Sequence, residues 1–161
     1  MWDFFYEFYL NTIDKKWGGA YLTKDFFYLI NQNMKGKILL VIAKQHGKIV
    51  AAALNFIGND TLYGRNWGSL VDIPFLHFEL CYYQAIEFAI ERNIKKVEAG
   101  AQGDHKIQRG YIATSTYSCH YINNPSFTDA VKSFVKMEAK EINKQIEIIN
   151  QLGSPYSNQD N

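Results

Sequence analysis

The feature that most constrains this chain is a strand, helix and strand arrangement in the middle of the sequence. A strand over residues 61–67 precedes a helical run over residues 76–92 and a short strand over residues 95–99. A helix between two strands predicts a crossover connection, which makes the second strand parallel to a neighbour. A glycine-bounded polar loop over residues 100–110 follows directly. Ligands of open α/β sheets bind at such strand ends, so this loop is a candidate site.

The surrounding pattern predicts further elements on both sides of the crossover. Helices are expected over residues 3–13 and 24–33, the second capped by Thr23. Strands over residues 38–44, 48–57 and 61–67, joined by short turns, predict an antiparallel meander. A strand over residues 112–122 and a long helix starting at Pro125 come last. We therefore expect one α/β domain over residues 1–153 and a disordered tail over residues 154–161.

Composition excludes several classes of protein. The hydrophobic fraction is 47%, enough for a core, and the formal net charge of +1 gives no general attraction to nucleic acid. No apolar run approaches the roughly 20 residues that span a bilayer. Cys81 and Cys119 lack metal-ligand spacing, so we interpret them as reduced, buried thiols and expect no metal. Reduced thiols without a signal peptide predict a cytoplasmic protein.

The central helix carries a candidate catalytic carboxylate. At about 100° per residue, Glu79 falls on the side of Tyr83, Ile86 and Ile90, where a carboxylate is unexpected. A buried carboxylate there would be a candidate general base for an amine. The alternative is a first-turn carboxylate that the helix dipole stabilises. His77 nearby is either an acid–base group or a structural hydrogen-bonding side chain.

The loop after the crossover gathers further candidates. His105 is a second candidate catalytic base, and Gln102 is a candidate substrate-binding residue. Lys106 and Arg109, three residues apart, could clamp a phosphate or carboxylate. Close approach of a substrate to the backbone is allowed by three glycines: Gly100, Gly103 and Gly110. The alternative interpretation is a solvated polar loop.

Strand residues complete the candidate substrate-binding set. Arg65 and Trp67 lie two apart and share a face, where they could hold an anion beside a ring. The alternative is an edge salt bridge with a core tryptophan. Glu98 could pair with Arg65 or Arg109, either as structure or as part of the site. Tyr117 is a candidate proton donor to a leaving group.

Three segments resemble the signature of the FemAB-like family within the GNAT superfamily of acyltransferases. They are residues 65–68 (Arg-Asn-Trp-Gly), 74–84 and 98–111, with weaker matches at residues 17–23 and 114–118. The resemblance implies a GNAT-like acyl-CoA N-acyltransferase fold, with a mixed, mostly antiparallel sheet, flanking helices and a long C-terminal helix. The family is often labelled peptidoglycan biosynthesis or recognition. Its members typically contain two GNAT-like halves, and this chain resembles the C-terminal one.

The same resemblance implies acyl or aminoacyl transfer to a small-molecule or peptide amine. The donor would be acyl-CoA or aminoacyl-tRNA, which makes tRNA a candidate partner. Acetyl-CoA enzymes usually carry an R/Q-x-x-G-x-G/A loop that holds the pyrophosphate, and residues 68–74 here depart from it. The alternative is a non-catalytic ligand-binding or interaction module, either half of a larger protein or a homo-oligomer. The aromatic residues at the start of the chain suggest a helix that packs on such a partner.

Overall fold

The computed structural model describes residues 1–14, 19–100 and 103–152, apart from the Asp104 side chain. The chain divides into two compact units, Met1–Gly100 and Ala101–Asn161. Gln102 and the predicted tail over residues 154–161 lie outside the described residues. The single domain over residues 1–153 therefore stays a prediction.

A four-stranded sheet with the order β1-β2-β3-β4 forms the centre of the first unit. The first three strands form the expected antiparallel meander, and β3 and β4 pair in parallel, which confirms the crossover. A two-residue turn at His46 and Gly47, both with positive φ, suits a hairpin between right-twisted strands. The strands are β1 (Ile38–Gln45), β2 (Lys48–Ile57), β3 (Thr61–Ser69) and β4 (Lys96–Glu98).

The two faces of β2 bury alternate residues against helices on opposite sides of the sheet. Ala52 and Leu54 pack against α1 (Trp2–Asp14) and α2 (Lys24–Asn33). Ala51 and Ala53 pack against Leu80, which lies in the central helical segment. This alternation follows from the two-residue period of a strand. Small residues at these positions allow helices to approach both faces closely.

The aromatic residues at the start of the chain are buried inside the first unit. Phe5, Phe8 and Tyr9 of α1 are at most 1% exposed, and the rings of Phe5 and Tyr9 contact Phe27 of α2 edge-on. The prediction that these rings pack on a partner surface is therefore wrong for this cluster, because α1 lies against its own sheet. Thr23 caps α2 as expected, its hydroxyl accepting a hydrogen bond from the Phe26 N–H.

The central helical segment is irregular. It comprises α3 (Leu76–Phe78), a π-helix (Glu79–Tyr83) and α4 (Gln84–Glu91). A π-helix closes i→i+5 hydrogen bonds, here from the Gln84 N–H to the Glu79 carbonyl. A π-helical turn therefore holds more residues than a turn of a regular α-helix. The extra residue rotates the side chains that precede the turn relative to those that follow it. The 3.6-residue pattern that predicted one continuous helix could not contain this shift.

The described part of the second unit contains a 3-10 helix (Asp104–Arg109), a segment over residues 111–122 without assigned helix or strand, and α5 (Pro125–Leu152). The predicted strand over residues 112–122 is wrong, since no strand is assigned there. The physical reason is that the Ala113 N–H and carbonyl bond to the side-chain amide of Asn150 in α5 instead of a strand neighbour. α5 spans 28 residues, which confirms the long C-terminal helix.

The described elements establish a mixed, mostly antiparallel α/β fold with flanking helices, consistent with a GNAT-like fold. None of the helices in the described ranges is both long and apolar enough to cross a bilayer.

Candidate functional site

A cavity of about 390 Å³ lies at the end of the parallel pair in the first unit. The β3–β4 ladder has only three residue pairs and stops at Tyr63–Glu98, whereas β3 continues to Ser69 alongside β2. Four successive residues of β3, Gly64 to Trp67, line one side of the cavity. Ala99 lines the other side. The early end of β4 thus opens the sheet edge and creates the cavity.

A β-bulge in β3 explains why consecutive side chains face one cavity. Leu54 pairs with Asn66 and Asn55 pairs with Gly64, so Arg65 is an extra residue without an opposite partner. A bulge breaks the alternation of a strand and re-aims side chains. Arg65, Asn66 and Trp67 consequently all line the cavity. Regular alternation predicted a shared face for Arg65 and Trp67 but would have turned Asn66 away.

The Arg65 guanidinium is held at the rim of the cavity. Its Nη2 donates a hydrogen bond of 3.1 Å to the hydroxyl of Tyr21. The Tyr21 ring in turn contacts Tyr9 edge-on, and the Tyr9 hydroxyl accepts a hydrogen bond from the Leu22 N–H. The hydrogen bond to Tyr21 uses one of the five N–H donors of the Arg65 guanidinium, so the other donors remain available. Arg65 and Glu98 form no ion pair, contrary to one interpretation of the sequence.

Two asparagines place amide groups at the cavity. Asn55 is 1% exposed, and its Nδ2 donates only a long 3.4 Å hydrogen bond to the Ala53 carbonyl. The Oδ1 of Asn66 is buried and has no hydrogen-bond partner among the described residues. Burying an amide oxygen without a donor costs about 1–3 kcal/mol. Sequence analysis did not predict either asparagine as a site residue. For Asn55 the available signal was its position directly after the apolar run 49–54 of β2.

The wall opposite β3 comes from the irregular central segment. His77, Cys81 and Tyr82 line the cavity. The His77 ring lies 4.9 Å from the Trp67 ring and 5.3 Å from the Tyr82 ring, measured between centroids. These contacts fix the imidazole beside the opening. The structure therefore brings His77, Arg65 and Trp67 to one cavity.

Cys81 is an inert part of this wall. Burial raises the pKa of the Cys81 thiol to about 12. The protonated thiol is a poor nucleophile, because the thiolate is the reactive form. Cys119 is exposed and Cys81 is partly buried, so the expectation of two buried thiols is wrong for Cys119 and holds only in part for Cys81.

Glu79 lies outside the cavity. The prediction of a buried carboxylate on the apolar side is wrong: Glu79 is exposed, and its Oε1 accepts a 3.0 Å hydrogen bond from Gln84 Nε2. The same Gln84 nitrogen bonds to Glu87, so Glu79 joins the polar stripe of the helix. The helix face that Glu79 was predicted to share is itself exposed, since Tyr83 is 42% and Ile90 72% exposed. The π-helix aligns Glu79 with Gln84, five residues along the chain. The catalytic role loses its structural argument and stays a hypothesis.

Several predicted site residues belong to the second unit. His105, Lys106 and Arg109 share its 3-10 helix, where Arg109 Nη1 donates a 2.5 Å hydrogen bond to the His105 carbonyl. Burial lowers the pKa of the Lys106 ammonium. Gly103 has a φ of 114°, and a Cβ there would lie 2.5 Å from the His105 ring, so only glycine fits.

The remaining candidates are more isolated. Tyr117 is 92% exposed and lies in the segment over residues 111–122 of the second unit, which has no assigned helix or strand. Glu98 is exposed on β4, opposite Tyr63 in the ladder, and does not line the cavity. Gln102 lies outside the described residues. Within the described ranges, no three His, Cys, Asp or Glu side chains form a cluster able to hold a metal.

A mixed sheet that opens beside its parallel pair, with an amide- and ring-lined cavity in the opening, is consistent with a GNAT-like fold. The chain belongs to the FemAB-like family, described as peptidoglycan biosynthesis/recognition, whose model matches residues 1–158. Among curated proteins, none matches this sequence significantly. Membership of this family implies a peptidoglycan-related function for the chain.

Proposed function

We propose that this chain transfers an acyl or aminoacyl group to an amine of a peptidoglycan precursor, and that the cavity beside β3 receives the amine. The observation that carries the proposal is the cavity itself, which combines an imidazole, an amide oxygen and an open strand edge. Family membership supports the peptidoglycan-related acceptor.

The transfer requires three events in one place. The amine nitrogen attacks the carbonyl carbon of an ester or thioester, and the C–O or C–S bond then breaks to release a tRNA hydroxyl or a thiol. The amine loses a proton during this attack. Among the residues that line the cavity, His77 carries the imidazole that would accept this proton. Backbone N–H groups on the open edge of β3 would stabilise the developing oxyanion.

The donor is either aminoacyl-tRNA or acyl-CoA, and the connection after β3 favours the first. The Ser69 hydroxyl donates a 2.7 Å hydrogen bond to the Val71 carbonyl and accepts one from the Val71 N–H. The helical segment that follows begins at Leu76, after Phe75 in the left-handed region and without a side-chain cap hydrogen bond. A self-bonded loop that leads into such a helix start does not resemble the amide cradle that holds a pyrophosphate.

A second candidate function is a non-catalytic module that binds peptidoglycan precursors. The observation favouring it is that no carboxylate is among the described lining residues, while the Cys81 thiol is protonated. Proton transfer in the cavity then depends on a single imidazole. The same cavity would suffice for recognition without transfer.

Ligand-dependent thermal stability distinguishes the donors. The purified chain is heated alone, with acetyl-CoA, with plain CoA and with a charged tRNA mixture. A ligand at 100 times its dissociation constant stabilises the fold by about 2.7 kcal/mol. We expect a shift with charged tRNA. A shift with CoA alone would assign a thioester donor, and no shift with any donor would favour the binding module.

Transfer itself is measured by mass spectrometry of a soluble precursor peptide incubated with the stabilising donor. We expect His77→Gln to slow transfer by about 10²-fold or more, because general base catalysis contributes that much. Glu79→Gln is the matched control, since this side chain is exposed and should leave the rate within about twofold. Loss of transfer in Glu79→Gln alone would instead make Glu79 the base. Precursor binding without transfer by the wild type would establish the second function.

A further inference from the structure

The buried side-chain oxygen of Asn66 is an acceptor that a donor from a bound ligand could satisfy. Native structures leave few buried polar atoms without a partner, and each such atom calls for a physical reason. The Asn66 Oδ1 has none among the described residues, and its side chain lines the cavity. A ligand N–H entering the cavity would satisfy this acceptor.

The neighbouring residue adds a charge requirement. Arg65 carries the one fixed charge among the described lining residues, and the bulge directs it to the same cavity as Asn66. None of the described lining residues is a carboxylate that could neutralise it. An anionic group would therefore be favoured close to the ligand N–H.

The surrounding backbone indicates that this corner is built for binding. The bulge at Arg65 and the π-helix over Glu79–Tyr83 are two departures from regular geometry, and both contribute residues that line the cavity. Bulges and π-helices are over-represented at functional sites.

We propose that this cavity binds the carboxyl-terminal residue of a peptide, or an equivalent N-acyl amino acid. The amide N–H of that residue donates to Asn66 Oδ1, and its carboxylate accepts from the Arg65 guanidinium. In such a ligand a single carbon atom separates the amide nitrogen from the carboxyl carbon. Arg65 and Asn66 are adjacent on the bulged strand and both line the cavity, so one small ligand could contact both side chains. The inference rests on the proposed function only in using the same cavity, and it requires no transfer.

Three probes and three proteins test this pairing without any acyl donor. The probes are acetyl-Ala-Ala, the same dipeptide methylated on its last amide nitrogen, and the same dipeptide with a carboxamide end. The proteins are the full wild-type chain, Asn66→Ala and Arg65→Gln. Dissociation constants are measured by NMR titration, with the folded state of each variant checked by circular dichroism.

For the wild type we expect N-methylation to weaken binding about fivefold and the carboxamide to weaken it about tenfold, as lost neutral and charged hydrogen bonds do. Asn66→Ala should bind the free acid about fivefold more weakly and no longer distinguish the methylated probe. Arg65→Gln should no longer distinguish the carboxamide.

Equal wild-type affinity for all three probes would overturn the proposal, as would variants that keep the full discrimination. If Asn66→Ala does not fold, the wild-type probe series and Arg65→Gln still decide, because Arg65 is exposed. If the wild type discriminates among the probes but does not catalyse transfer, the proposed function is rejected and the peptide-binding site is retained. If it catalyses transfer but does not discriminate among the probes, the peptide-binding site is rejected and the proposed function is retained.

Discussion

The Cys81 thiol shows how one residue can lie at a cavity and still take no part in chemistry. Its pKa of about 12, raised from 9.0 by burial, lowers the thiolate fraction at pH 8 about a thousandfold. The folded-state pKa lies above the unfolded-state value. The neutral thiol therefore stabilises the fold fully below pH 9, and this contribution is lost as the pH rises towards 12.

Alkylation kinetics test this at single-residue resolution. In a Cys119→Ser variant at pH 8, we expect iodoacetamide to leave Cys81 almost unmodified in the folded protein and to modify it readily in urea. The reverse variant, Cys81→Ser, is the control, because the exposed Cys119 should react without denaturant. Rapid modification of folded Cys81, followed by mass spectrometry, would contradict its burial.

At the residue scale, Glu79 and Asn66 both differ from what regular geometry predicts. Glu79 was expected on a buried side of the helix, but the face that it shares with Tyr83 and Ile90 is itself exposed. Asn66 was expected to alternate away from Arg65 and Trp67, but the bulge brings all three side chains to the cavity. A bulge is a one-residue change of register, which the hydrophobic periodicity of the sequence does not show.

α1 packs closely on β3 at Gly68, near the cavity. A Cβ on Gly68 would overlap the backbone carbonyl of Phe8 and lie 2.8 Å from the Phe8 Cβ. Backbone cannot move aside as a flexible side chain can. Asn11 adds a hydrogen bond from its Nδ2 to the Ser69 carbonyl at the same place. α1 thus holds the far end of β3 in position beyond the last residue paired with β4.

Substitution of Gly68 measures the importance of this approach. We expect Gly68→Ala to lower the free energy of unfolding by about 3 kcal/mol, because overpacking against backbone is costly. Gly19→Ala is the matched control, since a Cβ there has no neighbour within 4 Å, and it should change stability by less than about 0.5 kcal/mol. Urea unfolding followed by fluorescence gives both values. Equal stability of the two variants would show that α1 shifts without cost.

The two units differ in how much of their structure is buried. In the first, β2 contains five consecutive buried residues, 51–55. In the second, α5 has none, and its apolar side chains Phe134 and Met137 are 58% and 67% exposed. Local stability follows buried contacts and shielded hydrogen bonds. The second unit should therefore open more easily than the sheet.

Hydrogen exchange followed by mass spectrometry tests this difference across the whole chain. We expect amides of residues 111–122 to exchange fastest, those of α5 to be intermediate, and those of β2 to be slowest. Helical hydrogen bonds protect α5, but a helix with little packing is only marginally stable. Protection of α5 equal to that of β2 would contradict this order. An Asn150→Ala variant should speed exchange near Ala113, whose backbone it anchors.

The sequence alone determined the order of elements in the first unit, because strand alternation, helix periodicity and turn residues are local properties. It also determined the family, through residues 65–68, 74–84 and 98–111. It failed for residues 112–122, where an alternating pattern finds its hydrogen-bond partner in the Asn150 side chain instead of a strand.

Only the tertiary structure decided which side chains meet at the cavity. Arg65 and Trp67 were predicted together, but their meeting with Asn55, Asn66 and His77 depends on where the β3–β4 ladder stops, where β3 bulges and how the central helix winds. These features arise from hydrogen-bond register between segments distant in sequence. A local pattern specifies which face of an element is apolar, whereas register between elements is fixed only when the whole unit packs.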